Sequence, residues 1–443
     1  MYSLTVWQRT PNWLKPAQGA AFVLFAASSA FMTYFCMYAF RKPFSVNSYT
    51  DFDQGHWAIS FKVALILSQV FGYLIAKFIG VKFIAEMQRA KRAKTILWMI
   101  VGAECALILF ALTPVPFNIV WLFFNGLALG MIWGLVFSYL EGRKTAELLG
   151  AVLSVTFILA SGLVRTVGQW LIIALDVSEL WMPAATGAIF LPLLVLSVMC
   201  LNSIPPPTSE DEAARQQRLP MNGAQRWAFF KRYWFGITVL ILSFLLFTGF
   251  RDFRDNFSAE IWQALGYGQE PAIFAYAGIR IALIVLIALA ALVLIKNNRT
   301  AFFVNHGVIL LGTVILASCT WAFEANLISA KAWMVVLGAG LYISYIPYNC
   351  FLFDRMISAV GSTANAGFLL YLADSAGYIG SVGILLYKTF SSPDLSWLQF
   401  LIQACYWVAM IASILVVSSL IYFSLKLTSA KAGNIVKPVM SAT

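Results

Sequence analysis

Two arginines occupy equivalent places in a six-residue motif that occurs twice in this chain. Residues 40–45 read Phe-Arg-Lys-Pro-Phe-Ser, and residues 253–258 read Phe-Arg-Asp-Asn-Phe-Ser. Each copy follows a long apolar segment, where arginine is costly. A guanidinium group stays charged at any relevant pH and donates two parallel hydrogen bonds to a carboxylate or phosphate. If the chain consists of two repeated halves, Arg41 and Arg254 face a shared centre and predict a binding site for an anion.

Other charged side chains lie within or at the edges of apolar segments, and most of them are basic. The basic residues are Arg41, Lys62, Lys77, Arg165, Arg251, Arg254 and Arg280, and the acidic residues are Glu104 and Asp374. A cavity lined in this way attracts anions and rejects cations. Lys62 is expected to extend its ammonium group to the membrane interface. For Arg165 and Arg280, a cavity position and an interfacial position both remain open.

Glu104 and Asp374 lie in the middle of their apolar segments. A carboxylate is costly there, so each residue is expected to have a specific role. Two roles fit them. They act as counter-ions to the arginines, or one of them carries a proton in a coupled transport cycle.

The composition places the chain in a membrane. It has 443 residues, of which 61% are hydrophobic and 11% charged, and its mean hydropathy is +0.80. Apolar stretches of about 20 residues, enough to cross a bilayer as a helix, occur twelve times. We therefore predict an all-α integral membrane protein with twelve membrane-spanning helices.

The twelve predicted spans form two groups of six. Their approximate boundaries are about 18–40, 59–83, 94–112, 117–140, 148–174 and 181–204, then about 234–250, 272–295, 301–323, 332–353, 365–387 and 400–425. The one substantial polar insertion lies at 205–232. We predict a six-helix half at 1–204, a linker at 205–232 and a second six-helix half at 233–443.

The distribution of basic residues predicts the orientation. The net charge is +11, and about two thirds of the Lys and Arg residues fall in segments on one side, which indicates the cytoplasm by the positive-inside rule. Both termini and the linker are thus expected in the cytoplasm, in a bacterial inner membrane. The charge reflects contact with a bilayer, and no nucleic-acid partner is predicted.

Signs of catalysis or metal binding are missing from the sequence. It has no phosphate-binding glycine loop and no nucleophile elbow. It has only two histidines, and its six cysteines lie in apolar spans without metal-binding spacing. We predict a protein that is not an enzyme and has no metal and no cofactor.

Two six-helix halves with a cytoplasmic linker resemble the major facilitator superfamily, in which a central cavity opens alternately to either side. Three motifs are similar to those of its organophosphate:phosphate antiporter branch. Residues 38–44 resemble Tyr-x-x-Arg-Lys-x-Phe, residues 73–78 resemble Tyr-x-x-x-Lys-Phe, and Arg251 precedes residues 256–258 as an arginine precedes Asp-Trp-Ser in that family. The resemblance implies that Arg41 binds substrate phosphate and that Tyr38, Tyr73 and Lys77 line the site, with Arg251 as the second arginine.

The sequence departs from this branch in two places. A histidine expected in the fifth span is absent, so Ser161 or Arg165 stands in, and an Asp-Arg pair expected after the second span is missing. The resemblance selects Arg251 where the internal repeat selects Arg254. Hydropathy places Arg41 near the outer edge of the membrane, whereas the resemblance places it deeper in the membrane. A first helix that continues past Pro43 would remove this conflict.

The leading prediction is a monomeric secondary transporter that moves a small organic anion, an organophosphate or a multiply charged carboxylate, by exchange or proton coupling. The alternative is a transporter-like sensor that binds an anion without moving it and signals through the linker. Binding without flux would distinguish the two.

Overall fold

Long helices make up nearly all of the described chain. A computed structural model describes residues 19–53, 59–85, 87–208, 211, 223–362, 364 and 366–435, and these residues contain no strand. Among them, twelve helices are long and apolar enough to cross a membrane. The chain is an integral, multi-pass membrane protein, as its composition predicts. Residues 209, 210 and 212–222 of the predicted linker lie outside the described part, as do both ends of the chain.

The membrane helices of the first half are α1 Ala20–Phe40, α2 Phe61–Gly80, α3 Arg89–Leu112, α4 Ile119–Phe137, α5 Leu148–Leu175 and α6 Met182–Asn202. Those of the second half are α7 Gly223–Asn256, α8 Ala272–Val293, α9 Asn298–Glu324, α10 Ala330–Ala359, α11 Gly367–Ser391 and α12 Trp397–Thr428. All twelve predicted spans are confirmed. The largest boundary difference is at α7, which begins in the basic stretch 223–232 and kinks at Tyr233, because a polar helical turn has no hydropathy signal.

Helix α1 unwinds at its C-terminal end. Its α-helical segment stops at Met37, and two 3-10 turns follow, at Tyr38–Phe40 and Pro43–Val46. Pro43 has no N–H group to continue the helix. The first helix therefore does not continue past Pro43 as an α-helix. The second copy of the motif is also at a break, since α7 ends at Asn256 and a short helix, Ser258–Ala264, follows.

The described residues form two compact units. The first contains the described part of Met1–Arg215, with α1 to α6, together with Asp252–Leu286 and Val382–Leu401. The second contains Ile287–Ser381 and the described parts of Gln216–Arg251 and Ile402–Thr443. Both copies of the six-residue motif consequently lie in the first unit.

Helices α2 and α4 pack backbone against backbone in the first unit. A Cβ atom at Gly72 would lie 2.1 Å from the carbonyl oxygen of Phe123, and one at Gly126 would lie 2.1 Å from the carbonyl oxygen of Gln69. Only glycine permits an approach this close at both positions. The contact fixes Gln69 and its neighbours on α2 relative to α4.

Substitution of Gly126 by alanine should force α2 and α4 apart. Overpacking of a close contact costs about 1–3 kcal/mol, so we expect Gly126→Ala to lower the midpoint of thermal unfolding in detergent. Gly307→Ala is the matched control, because nothing lies within 4 Å of a Cβ atom at that helical glycine. Equal unfolding midpoints for the two variants would contradict the packing argument.

Candidate functional site

Arg41 lies against two tyrosine rings just after the unwound end of α1. Its Cζ atom is 4.2 Å from the ring centroid of Tyr73 on α2 and 5.6 Å from that of Tyr38. Both tyrosines are buried, and Arg41 is partly exposed. A cation–π contact holds a guanidinium group through its face. The structure thus brings three predicted site residues together.

The backbone beside Arg41 is held by two amide side chains. Asn125 on α4 donates from Nδ2 to the carbonyl oxygen of Phe40 at 3.0 Å, and Gln69 on α2 donates from Nε2 to that of Arg41 at 3.1 Å. The same Gln69 nitrogen donates to Asn125 Oδ1 at 2.8 Å, and Asn125 Nδ2 also reaches the carbonyl oxygen of Ala103 on α3 at 3.3 Å. Unpaired carbonyl groups are costly in a membrane. These amides therefore stabilise the turn that carries Arg41.

Lys77 lies on the same face of α2 as Tyr73, one helical turn further along. Its Nζ atom is 5.8 Å from the ring centroid of Trp133 on α4, and the side chain is partly exposed. Arg41 and Lys77 place two positive charges near the buried Tyr73. Guanidinium, ammonium and phenol groups all donate hydrogen bonds, which suits a phosphate or a carboxylate.

The two candidate arginines of α7 have different surroundings. Arg251, in the second unit, is partly exposed, and its Cζ atom is 4.3 Å from the ring centroid of Tyr345 on α10. Arg254, in the first unit, is buried, and its Nη1 atom is 3.6 Å from Asp255 Oδ1. Stacking on a tyrosine from a neighbouring helix is thus common to Arg41 and Arg251.

Arg165 on α5 is buried in a network with the end of α7. Its Nη1 atom donates to the carbonyl oxygen of Asp255 at 2.5 Å and to the Ser258 hydroxyl. Its Nε and Nη2 atoms donate to the carbonyl oxygen and hydroxyl of Ser161 at 2.8 and 2.7 Å, and Nη2 lies 3.7 Å from Asp255 Oδ1. Every guanidinium nitrogen has an acceptor within the protein. Arg165 and Ser161 in this arrangement tie α5 to α7, and their predicted role toward a substrate stays a prediction.

Lys62 does not reach the membrane interface, and that expectation is wrong. The side chain at the start of α2 is 1% exposed. Its Nζ atom donates to Glu260, on the short helix after α7, and to the carbonyl oxygen of Ser45 at 3.0 Å. An ion pair and a backbone acceptor compensate its burial, so the ammonium group has no need to reach the interface.

Three further candidates are Arg280, Glu104 and Asp374. Arg280 on α8 is exposed and stacks on Tyr276, with Cζ 3.6 Å from the ring centroid. Glu104 on α3 and Asp374 on α11 are partly buried, and Asp374 belongs to the second unit. No ion pair joins Glu104 to a basic residue in the part of the chain that the structure describes.

Counting charged residues overlooks the amides Gln69, Asn125 and Asn256. Both Gln69 and Asn125 are buried within predicted spans, where an unpaired amide is nearly as unfavourable as a charge. An amide residue inside a long apolar segment is the sequence feature that could have identified Gln69 and Asn125. Their hydrogen-bond acceptors, the backbone carbonyl groups of Phe40 and Arg41, have no signature in the sequence.

Comparison with known proteins identifies the family. Residues 43–426 match the family described as "Family of unknown function (DUF5690)". The chain belongs to this family. No curated protein matches the sequence of this DUF5690 member.

Solved structures establish the fold. A D-xylose-proton symporter matches with a TM-score of 0.59 at 14% identity, over 90% of this chain and 96% of that chain. A mutant of the nucleoside transporter NupG matches with 0.57 at 13%, over 90% and 99%. The human organic anion transporter MFSD10 matches with 0.54 at 13%, over 90% and 98%. This DUF5690 protein has the major facilitator superfamily fold. The narrower resemblance to organophosphate antiporters stays a prediction.

Removing the negative charge of Asp255 should destabilise the first unit. Asp255→Asn removes a carboxylate that pairs with the buried Arg165 and Arg254, and loss of one partner of a buried ion pair costs about 3–5 kcal/mol. We expect a clear fall in the thermal unfolding midpoint in detergent. The exposed Asp394 gives the control variant Asp394→Asn, and a similar small effect of both substitutions would contradict the role of the network.

Burial of Lys42 predicts a pH dependence of stability. Lys42 follows the end of α1, and its Nζ atom donates to Asn256 Oδ1 at 2.9 Å. Burial lowers its pKa from 10.5 to about 7, against the opposing attraction of Asp255. Between these values the unfolded chain binds a proton that the folded protein does not, so folded stability should rise with pH over that range.

The stability difference between the unsubstituted protein and Lys42→Met isolates this contribution. It should shift in favour of the unsubstituted protein as the pH rises from 7 to 9, when measured by thermal unfolding in detergent. Exposed Lys296 provides the control, Lys296→Met. Parallel pH profiles for the unsubstituted protein and Lys42→Met would exclude a lowered pKa.

Proposed function

We propose that this DUF5690 protein is a secondary transporter of a multiply charged organic anion, with Arg41 as the central binding residue. The observation that carries the proposal is the fixed position of Arg41, which stacks on Tyr73 and Tyr38 while Gln69 and Asn125 hold its backbone. Such preorganisation reduces the cost of ordering a binding group.

The chemistry of the surrounding groups supports an organophosphate or a polycarboxylate. Arg41 supplies a planar fork of donors, Lys77 supplies a second positive charge on the same face of α2 as Tyr73, and both kinds of side chain bind phosphate or carboxylate. Two positive charges favour a dianion over a monoanion. Organophosphates and polycarboxylates are charged on both sides of the membrane, so their transport also moves charge. Exchange for another anion or coupling to protons compensates that charge.

A second binding arginine is proposed at Arg251. Like Arg41, Arg251 is partly exposed and stacks on a tyrosine of another helix, whereas Arg254 is buried beside Asp255. A buried arginine is less available to a ligand than a partly exposed one. Arg251→Lys and Arg254→Lys should therefore differ, and only the first should weaken anion binding.

The fold supports transport as the activity. The solved structures that share it include a sugar symporter, a nucleoside transporter and an organic anion transporter. We also propose that both termini are cytoplasmic, which the positive-inside pattern supports, and that the membrane is a bacterial inner membrane.

Arg41→Lys should weaken anion binding about 10- to 100-fold, because a charge-assisted hydrogen bond contributes about 1.5–3 kcal/mol and lysine lacks the fork. Binding is detected as thermal stabilisation of the purified protein by inorganic phosphate, glucose 6-phosphate, succinate, citrate and AMP, with glucose as the uncharged control. Arg299→Lys, at the start of α9, is the matched arginine control.

Transport is then measured with the most stabilising anion, radiolabelled, as counterflow into proteoliposomes. Accumulation that requires the unlabelled anion inside supports the transporter, and Arg41→Lys should abolish it. Binding without flux in either direction would indicate the sensor instead. Full binding and flux in Arg41→Lys would overturn the proposed site.

A further inference from the structure

Glu104 presents a carboxyl group at the contact between α3, α6 and the end of α1. A Cβ atom built at Gly187 on α6 would lie 2.3 Å from Glu104 Oε2 and 3.0 Å from the ring of Phe40. The carboxyl oxygen therefore occupies the space that the absent Gly187 side chain leaves, beside the Phe40 ring. This oxygen is buried and has no hydrogen-bond partner among the described residues.

The helices packed on α3 carry no charge that could neutralise an ionised Glu104. In the described spans α1, α4 and α6 there is no Asp, Glu, Lys, Arg or His. The other titratable groups of these elements are the side chains of Tyr34, Tyr38, Cys36, Cys200 and, on α3 itself, Cys105. Four basic residues of α3, Arg89, Lys91, Arg92 and Lys94, lie in its first two turns, far along the helix from residue 104. An ionised carboxylate at this position is unfavourable, whereas a neutral carboxylic acid is tolerated.

The nearest basic residues along α1 are Arg41 and Lys42, which directly follow Phe40. The residue before Glu104, Ala103, is also linked to this turn, because Asn125 Nδ2 donates to the carbonyl oxygens of both Ala103 and Phe40. We therefore expect a change in the position of the Glu104 carboxyl group to disturb the Phe40 ring or the Asn125 amide. Either movement reaches the backbone of Arg41.

We propose that Glu104 is the proton-binding site that couples proton uptake to anion binding at Arg41. This inference rests on the proposed anion site. In the packing described, Glu104 carries the proton as a carboxylic acid. Loss of that proton to water creates a carboxylate that must leave the apolar contact with Phe40 and Gly187 to become hydrated, which disturbs the Arg41 turn. The proton and the anion therefore bind together, and by linkage each strengthens the binding of the other.

The test compares proton uptake on anion binding in the unsubstituted protein and in Glu104→Gln, which mimics the neutral acid in shape. Purified protein in weakly buffered detergent is mixed with the most stabilising anion of the thermal-shift panel, and the released or absorbed protons are recorded with a pH indicator at several values between pH 5.5 and 8. The protonation of the anion itself is common to both proteins, so the difference belongs to Glu104. We expect uptake of up to one proton per protein that Glu104→Gln lacks.

Affinity gives a second measurement. Anion affinity of the unsubstituted protein should fall with rising pH relative to that of Glu104→Gln, by at most about tenfold per pH unit, the limit for one linked proton. Glu324→Gln, an exposed acid at the end of α9, is the matched control and should behave like the unsubstituted protein. Asp374→Asn tests the other mid-span acid and should also retain proton uptake.

The outcomes separate this inference from the anion site. If Arg41→Lys loses binding while Glu104→Gln still takes up the proton, the anion site stands and the proton site is overturned. If proton uptake disappears in Asp374→Asn and persists in Glu104→Gln, Asp374 carries the proton and the inference is wrong. If Arg41→Lys binds normally while Glu104→Gln loses the uptake, the proposed anion site is wrong and Glu104 remains the proton site.

Gly187→Ala tests the packing without changing a charge. The added methyl group would overlap Glu104 Oε2 and press on Phe40, so we expect weaker anion binding in a protein that still takes up a proton. Unchanged affinity in a variant whose unfolding midpoint shows that it is folded would overturn the coupling through Phe40.

Discussion

The candidate site depends on one requirement of membrane proteins, that backbone carbonyl groups must be satisfied when a helix unwinds. At the end of α1 the chain leaves α-helical geometry before Arg41, and the carbonyl groups of Phe40 and Arg41 turn to Asn125 and Gln69. Those amides come from α4 and α2, whose close packing is permitted by Gly72 and Gly126. The position of the Arg41 guanidinium group thus follows from a hydrogen-bond requirement, two amides and a glycine contact.

Most of the fold could be predicted from the sequence because long apolar segments have a single stable arrangement in a bilayer. The twelve spans were found on that basis. The environments of individual charges could not be predicted. Lys62 meets Glu260, 198 residues away, and Arg165 meets Asp255, 90 residues away. Nothing local to either basic residue indicates such a partner, so the alternatives of interface and cavity could not be separated.

The buried polar contacts at the end of α7 set a condition on any conformational cycle. Lys42 lies in the turn after α1, Lys62 on α2 and Arg165 on α5. Each bonds to a residue between 255 and 260. Separation of residues 255–260 from these helices would remove partners of several charged groups. Buried charges tolerate this only where water replaces the lost contacts. A movement of this kind therefore has to admit water to the end of α7 as it begins.

The contact between the two copies of the six-residue motif restricts which residues each copy can have in its middle. Lys42, third in the first copy, binds Asn256, fourth in the second copy. If the second copy had the sequence of the first, a proline would stand in place of the acceptor Asn256 and a lysine in place of Asp255 beside Arg165. The first change removes a hydrogen bond, and the second adds repulsion between like charges. The contact thus requires the two copies to differ. They can share their first two residues, Phe-Arg, and their last two, Phe-Ser, because the two residues between them are complementary across the contact.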